Sequence, residues 1–462
     1  MALSSGIAGG AQPIESFSRS GFSYRVSRGG TKLFLEFEGF RKELAYFIGS
    51  GAAARSYLLD ADGFLFQAPV AYYSTKAKWD LAPGYDQYAY PYVTRPVTDS
   101  CLGCHASFLN PLAGTQNGYL RPPFAEGGVA CVRCHGNGEE HIAKQSPIVN
   151  PAKLPPSKRD RVCAQCHLAG EVRVAGTAAD DFTVFVRAGA SPAMRVTGHV
   201  EKLAQSKCKQ NSGDRLWCGT CHDPHSVPKA AQKDAWFQAK CANCHGSGSC
   251  TGSSRSDCIT CHMPKNEVVD AQHVVYTDHS IPRRPRKDTV AASPGAELVP
   301  FGGGTAKDRD LGVAYAMLGL RQPGGADFSR ALKLLPAEER RSPNDVDVLV
   351  YLAELYRTSN RETLAEPLYR RAIRLDASQV TARVGLGAIL YQRGNYTEAA
   401  AVWKEAISRS PGLDLVRTNL AMAQIRLGQN KEAESTLRRG IELSPGFRPG
   451  QDLLKKLGEL RN

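Results

Sequence analysis

A chain of 462 residues is long enough for two to four domains. Its 42% hydrophobic and 22% charged residues suit packed cores, and no run of about 18 apolar residues offers a membrane span. A formal charge of +13 would ordinarily point to nucleic acid or an anionic membrane, but the cysteine pattern gives that charge another use. No nucleic-acid partner is expected, and membrane association is expected only through a partner or a segment missing before Met1.

Residues 1–98 contain no cysteine and no histidine. FSYRVSRGGTKLFLEF predicts two strands joined at Gly29-Gly30. Further strands are predicted at Ala45–Ile48, Tyr57–Leu59 and Phe64–Ala68, with turns at Gly49-Ser50-Gly51 and Asp62-Gly63. This is a small β-rich module. The aromatic series Tyr72, Tyr73, Trp79, Tyr85, Tyr88, Tyr90 and Tyr92 leads out of it, read as core and loop packing.

From residue 99 the character changes. Cys-x-x-Cys-His occurs six times: Cys101, Cys104 and His105; Cys131, Cys134 and His135; Cys163, Cys166 and His167; Cys218, Cys221 and His222; Cys241, Cys244 and His245; Cys258, Cys261 and His262. Two thiols at this spacing reach the two vinyl groups of one porphyrin, and the adjacent imidazole turns onto the iron. Zinc ribbons and thioredoxin-like sites also use paired cysteines, but neither needs a histidine after the second one every time. The reading is six covalently attached haem c groups in a loop-rich cytochrome domain with short helices, spanning 99–284. Their propionates bring a charge of about −12, which the basic excess neutralises. Close packing of six porphyrins implies electron hopping, with the haems at Cys241 and Cys258 as near neighbours.

Of 11 histidines, six belong to the motifs. The other five, His141, His199, His225, His273 and His279, all lie in or just after this region and are predicted distal iron ligands. Five candidates leave one of six irons without a partner. Met194 could supply a thioether, while Met263 directly follows a proximal histidine and is poorly placed for its own iron; a packed methionine is the ordinary reading of each. A five-coordinate haem, or a ligand from outside the chain, are the alternatives. Cys208 and Cys250 fall outside the motifs, and a disulfide between them is expected because haem attachment takes place on the oxidising side of a membrane. MALSSGIAGG has neither the basic nor the apolar part of an export signal. A trimmed sequence or a start placed too late is therefore expected, with the protein periplasmic or on the extracellular face of the envelope.

Residues 285–305 read as a basic, Pro- and Gly-rich linker. From 306 to 462 a period of 34 appears: Ala353, Gly387 and Ala421; Ala365, Ala399 and Ala433; Ala372, Ala406 and Gly440; Ala377, Pro411 and Pro445. Tyr369, Trp403 and Leu437 take the bulky position between. This is the tetratricopeptide pattern, an all-α solenoid whose groove binds a protein partner. A weaker earlier repeat is fitted on Leu311, Gly312, Tyr315, Phe328 and Ala331.

The segments YFIGSGAAARSYL, VACVRCHGNGEEH, RVCAQCHLAGEVRV, GHVEKLAQSKC, LWCGTCHDPH, CITCHMPK and YTDHSIPRRP, with the repeats that follow, resemble bacterial multihaem cytochromes c with fused C-terminal tetratricopeptide repeats. The resemblance supports His141 as a distal ligand and implies electron transfer between redox partner proteins, without a defined substrate. Similar chains begin with a signal peptide and a further Cys-x-x-Cys-His. Both are absent here, so Met1 is expected to be internal to a longer protein. The second expectation is an oxidoreductase acting on a small nitrogen or sulfur compound at one open haem. A scaffold role for the repeats, with the haems as structural core, is the third.

Overall fold

Alternation of apolar and polar side chains builds the first element: along Lys32–Phe37, Leu33, Leu35 and Phe37 turn inward and their neighbours do not. The computed structural model describes residues 5–9, 12–177, 181–190, 193–246, 258–283 and 295–459. Nine strands form one antiparallel sheet: β1 (Ser5–Ile7), β2 (Glu15–Arg19), β3 (Phe22–Gly29), β4 (Lys32–Phe37), β5 (Phe40–Ile48), β6 (Ala54–Ala61), β7 (Phe64–Tyr73), β8 (Lys78–Leu81) and β9 (Arg95–Pro96). The strands from β2 to β8 meander in chain order, with β1 on β5 and β9 on β7. The β3–β4 turn is Gly30-Thr31 rather than Gly29-Gly30, because Gly29 already pairs with Lys32. Asp62 and Gly63 both have positive φ, as a tight hairpin requires. The sheet curls until its two ends meet: Glu15 accepts the Trp79 backbone N–H (3.0 Å), and Arg19 donates to both Asp80 carboxylate oxygens (2.8 Å each). Val26, Leu33, Leu35, Leu44, Tyr57, Phe66, Tyr73 and Trp79 fill its inside.

The middle of the chain is built from short pieces. Its helices are α1 (Asp99–Leu102), α2 (Val132–His135), α3 (Glu139–Lys144), α4 (Pro156–His167), α5 (His199–Gln205), α6 (Lys207–Ser212), α7 (Cys218–Cys221), α8 (Lys233–Ala242) and α9 (Cys258–His262). Hairpin β10 (Ser107–Pro111) with β11 (Tyr119–Glu126) sits beside the first motif, and hairpin β14 (Lys265–Glu267) with β15 (Val275–Thr277) follows the last. Strands β12 (Val172–Ala175), β13 (Phe182–Arg187) and β16 (Leu298–Pro300) form a three-stranded sheet. Residues 298–300, expected in a linker, are thus a paired strand, because Leu298 can bury beside Tyr315 and Phe185. Among the described residues of 199–262, no hydrophobic side chain is buried.

Among the described residues, four antiparallel helix pairs and a final helix follow: α10 (Asp308–Gly319), α11 (Ala326–Arg341), α12 (Val346–Thr358), α13 (Glu362–Leu375), α14 (Val380–Gln392), α15 (Tyr396–Arg409), α16 (Asp414–Arg426), α17 (Asn430–Leu443) and α18 (Arg448–Glu459). Small residues let each pair approach closely. A Cβ on Gly387 would lie 2.4 Å from the Trp403 indole nitrogen, and one on Gly319 would lie 2.5 Å from Phe328 backbone atoms. In the first pair Gly312 lies against Leu335, which is 34 residues before Tyr369 and 68 before Trp403, so it makes the contact that Gly387 makes with Trp403, while Gly319 ends α10 against Phe328.

The solenoid is braced on both neighbours. Thr94 donates to Asp414 (2.8 Å), Gly412 packs on Phe66 and Thr94, and Arg439 pairs with Asp62 (2.6 Å). Arg409 donates to the Gly114 carbonyl (2.7 Å). On the side of the short helices, Arg187 pairs with Asp327 and Thr183 donates to Asp310 (3.1 Å).

Candidate functional site

Each Cys-x-x-Cys-His unit rests on a helical turn, which explains its spacing. Residues three and four apart share one helix face, so both thiols and the imidazole leave the same side. The backbone bonds are those of such a turn: His135 N–H to Cys131 (2.9 Å), His222 to Cys218 (2.9 Å) and His245 to Cys241 (3.0 Å). The described cysteines are free thiols and none is fully buried. The expected Cys208–Cys250 pairing involves Cys250, which lies outside the described residues. Among the described residues, no three His, Cys, Asp or Glu side chains converge on a metal-ion cluster. The units stay separate.

They are nonetheless neighbours. The Cys166 thiol bonds Cys104 and, with Arg173 and Arg133 nearby, holds it down at about 6; in the same bond Cys166 is pushed up. Cys163 is pushed up by its bond to Cys218 and by burial, with Cys134 also near. Burial raises Cys221, and the nearby Cys241, Cys218 and Cys208 thiols add to it. Burial likewise raises Cys241, helped by Cys258 and Cys208. The six units thus form one connected series, with those at Cys241 and Cys258 adjacent, and Cys208 stands beside it.

Arg173 fixes the third unit in place. It donates to the carbonyls of Gln165 (2.7 Å) and Ala164 (2.8 Å), closing the C-terminal end of α4. Glu201 on α5 accepts the N–H groups of Ala169 and Gly170 (3.1 Å each), which ties the helix that begins at His199 to the turn after His167. Burial raises the Glu201 carboxyl, although these bonds oppose the rise. Neither residue carries a motif signal. A basic residue shortly after a helix end was the one clue to Arg173.

The histidines fall into groups. Ring centres are 6.0 Å apart for His135 and His225, 5.3 Å for His167 and His199, 4.9 Å for His199 and His279, and 6.0 Å for His222 and His279. Backbone carbonyls hold Nδ1 of His135 (Val149, 2.6 Å), His141 (Ser146, 2.6 Å), His262 (Pro282, 2.9 Å) and His279 (Thr277, 2.9 Å). An imidazole that donates from Nδ1 presents an unprotonated Nε2 to a metal. Burial pulls His105, His167, His222 and His279 down, and together with His279, His167 and His222 it pulls His199 to about 3. These rings are held neutral, the form that ligates. Nδ1 of His199 is buried without a hydrogen-bond partner.

His273 stands apart from this set. Its Nε2 is 2.8 Å from Asp80, and its ring meets the Tyr73 edge, so the nitrogen a distal ligand would offer is engaged with the sheet. Met194 is a packed core residue, buried with Val268, Ala271 and Val274 against the sheet. Met263 ends the α9 turn, its N–H bonded to Ile259.

The residues present fit haem. Motif and non-motif imidazoles lie 5.3–6.0 Å apart between ring centres, thiol pairs sit on the same helical faces, and apolar side chains nearby in the sequence meet solvent. Ile142 is 83% and Val227 78% exposed beside the His135–His225 pair.

Tetratricopeptide repeat families match residues 317–380, 363–414 and 390–457. The C-terminal region is a tetratricopeptide repeat array. Human Protein O-mannosyl-transferase TMTC1 is 36% identical over 86 residues, 19% of this chain. The match spans about a tenth (10%) of that relative's length. Among solved structures, MamA superposes at a TM-score of 0.28 with 19% identity, covering 29% of this chain and 79% of MamA. YrrB, titled a TPR protein with an unusual peptide-binding site, gives 0.28 with 18% identity, covering 32% and 73%. Repeat arrays bind protein partners, and this one is braced on the rest of the chain.

Proposed function

We propose that this chain is a multihaem c-type cytochrome that passes electrons between redox partner proteins in the cell envelope, while its repeat array recruits a protein partner. One observation carries the reading. The described residues of 199–262 hold three Cys-x-x-Cys-His units and three longer helical segments, yet bury no hydrophobic side chain. A segment of that kind needs an apolar core from outside the polypeptide, as metal-dependent small domains do. Bound haem would supply one-electron chemistry. The chain's own part is to hold: cysteine pairs for attachment, motif histidines as proximal ligands, non-motif histidines opposite them, and Arg173 and Glu201 to fix the turns. The connected series of thiols supports a route from unit to unit. Thioether formation belongs to the oxidising side of the membrane, which supports an envelope location.

A second reading has its own support. With His273 engaged by Asp80, four non-motif histidines remain for six motif histidines, which favours an open haem and an oxidoreductase acting on a small nitrogen or sulfur compound.

The test is export of the chain in a host that matures c-type cytochromes, followed by intact mass and reduced-minus-oxidised absorption. Six haem masses and a c-type spectrum are expected; a bare polypeptide mass sinks the proposal. Carbon monoxide then separates the two readings: binding supports the open haem, and an unchanged spectrum supports the carrier alone.

A further inference from the structure

We infer that three of the haems take their axial ligands across motifs: His225 pairs with His135, His199 with His167, and His279 with His222. The inference rests on the cytochrome reading and concerns this chain's own side chains.

Two imidazoles on one metal need nitrogen–metal bonds of about 2 Å on each side, and the ring centres then lie roughly 6 Å apart. The observed separations are 6.0 Å for His135–His225, 6.0 Å for His222–His279 and 5.3 Å for His167–His199. The remaining close pair, His199–His279 at 4.9 Å, joins two histidines that belong to no attachment motif. It brings two ligands of different haems side by side, and the other three contacts then resolve in one way. Each motif histidine receives one non-motif histidine, and none is used twice.

Local structure holds these rings where the pairing needs them. His135 and His279 give Nδ1 to backbone carbonyls and turn Nε2 outward. Glu201 ties His199's helix to the segment after His167, and Arg195 adds a bond to the Gly170 carbonyl (2.9 Å). Asp278 N–H bonds the Pro264 carbonyl (2.8 Å), which anchors His279 beside the end of the last motif. His225 is fixed by its own N–H to Asp223 (2.9 Å).

The pairing has an arithmetic consequence. His105, His245 and His262 remain, and with His273 on Asp80 the one unassigned histidine is His141.

Paired substitutions test this on the full chain carrying its haems, read by intact mass and by high-spin content in electron paramagnetic resonance. His225→Leu should convert one further haem of six to high spin. In the Cys131→Ser/Cys134→Ser background, which should carry five haem masses, the same substitution should add no high-spin haem. His199→Leu with Cys163→Ser/Cys166→Ser, and His279→Leu with Cys218→Ser/Cys221→Ser, should behave alike. A full extra high-spin haem in any of these five-haem backgrounds overturns that pair. His225→Met guards against a folding defect: it should keep six haem masses and the low-spin state while raising one midpoint potential. If all six potentials stay unchanged, His225 is no ligand. A wild-type chain without haem mass would instead defeat the underlying cytochrome reading, an outcome distinct from a failed pairing.

Discussion

Asp414 should destabilise the folded chain at neutral pH, and Asp414→Asn should relieve it. The carboxylate is buried where the first residue of α16 meets the sheet, and it accepts the Thr94 hydroxyl at 2.8 Å. Burial lifts its pKa from the ordinary 3.8 to about 6, although Thr94 and the Arg417 charge pull the other way. A carboxyl raised in the folded state binds its proton more tightly there than in the unfolded chain. That advantage is complete below about pH 4 and is lost as pH rises through about 6. Two pH units correspond to about 3 kcal/mol. An asparagine keeps an oxygen for Thr94 and removes the charge. The substitution should therefore stabilise by up to about 3 kcal/mol at pH 8 and by close to nothing at pH 4. In thermal melts this is a rise of several degrees at pH 8 alone, at roughly 2–4 °C per kcal/mol. A variant that melts lower than the parent at both pH values would show that the charge is well paired, and the reasoning would fail.

Gly319→Ala should cost about 1–3 kcal/mol by overpacking, because its new methyl meets Phe328 backbone atoms that cannot rotate away. Gly312→Ala meets side-chain atoms of Leu335 and Leu334 and should cost clearly less; equal denaturation midpoints would mean that these side chains cannot give way. Asp80→Ala removes the acceptor of Arg19, Lys78, His273 and the Leu81 N–H, and should cost about 2–3 kcal/mol. Hydrogen exchange should quicken in the 265–277 hairpin of that variant, and unchanged protection there would show that the His273 contact does not hold it. With all twelve motif cysteines changed to serine, limited proteolysis should cut first within 199–262 and leave the sheet and the repeats; resistance of that stretch would show it has a core of its own.

Much of the architecture was legible where side chains speak locally. The alternation of Leu33, Leu35 and Phe37 marked a strand, and the 34-residue period from Ala353 to Ala421 marked the solenoid. Strand β2, with only Phe17 apolar, and the four-residue β8 gave no such signal, since they are held by Glu15 and Arg19 reaching across the sheet. The first repeat was harder to read because α10 and α11 are joined by a longer turn than α12 and α13, so Gly312 meets Leu335 23 residues on, where Gly387 meets Trp403 16 residues on. The helical turns that carry the motif cysteines could be read one by one, because each motif spans five residues. The partner of His273 could not: Asp80 lies 193 residues away. The neighbours of His135, His167 and His222 were hidden for the same reason, since they are set by turns tied through Glu201 and by backbone carbonyls rather than by spacing.

The absence of a polypeptide core in the described part of 199–262 bears on how the chain comes to be made. The sheet before it and the repeats after it each bury their own apolar side chains. Two self-sufficient bodies can then form early and hold the ends of the stretch between them, close enough for Asp62 of the sheet to pair with Arg439 of the repeats. On the cytochrome reading, the middle would stay open to haem attachment until the last haem is in place. Biogenesis would then run from the flanks inward, and completion of the centre would report that loading had finished.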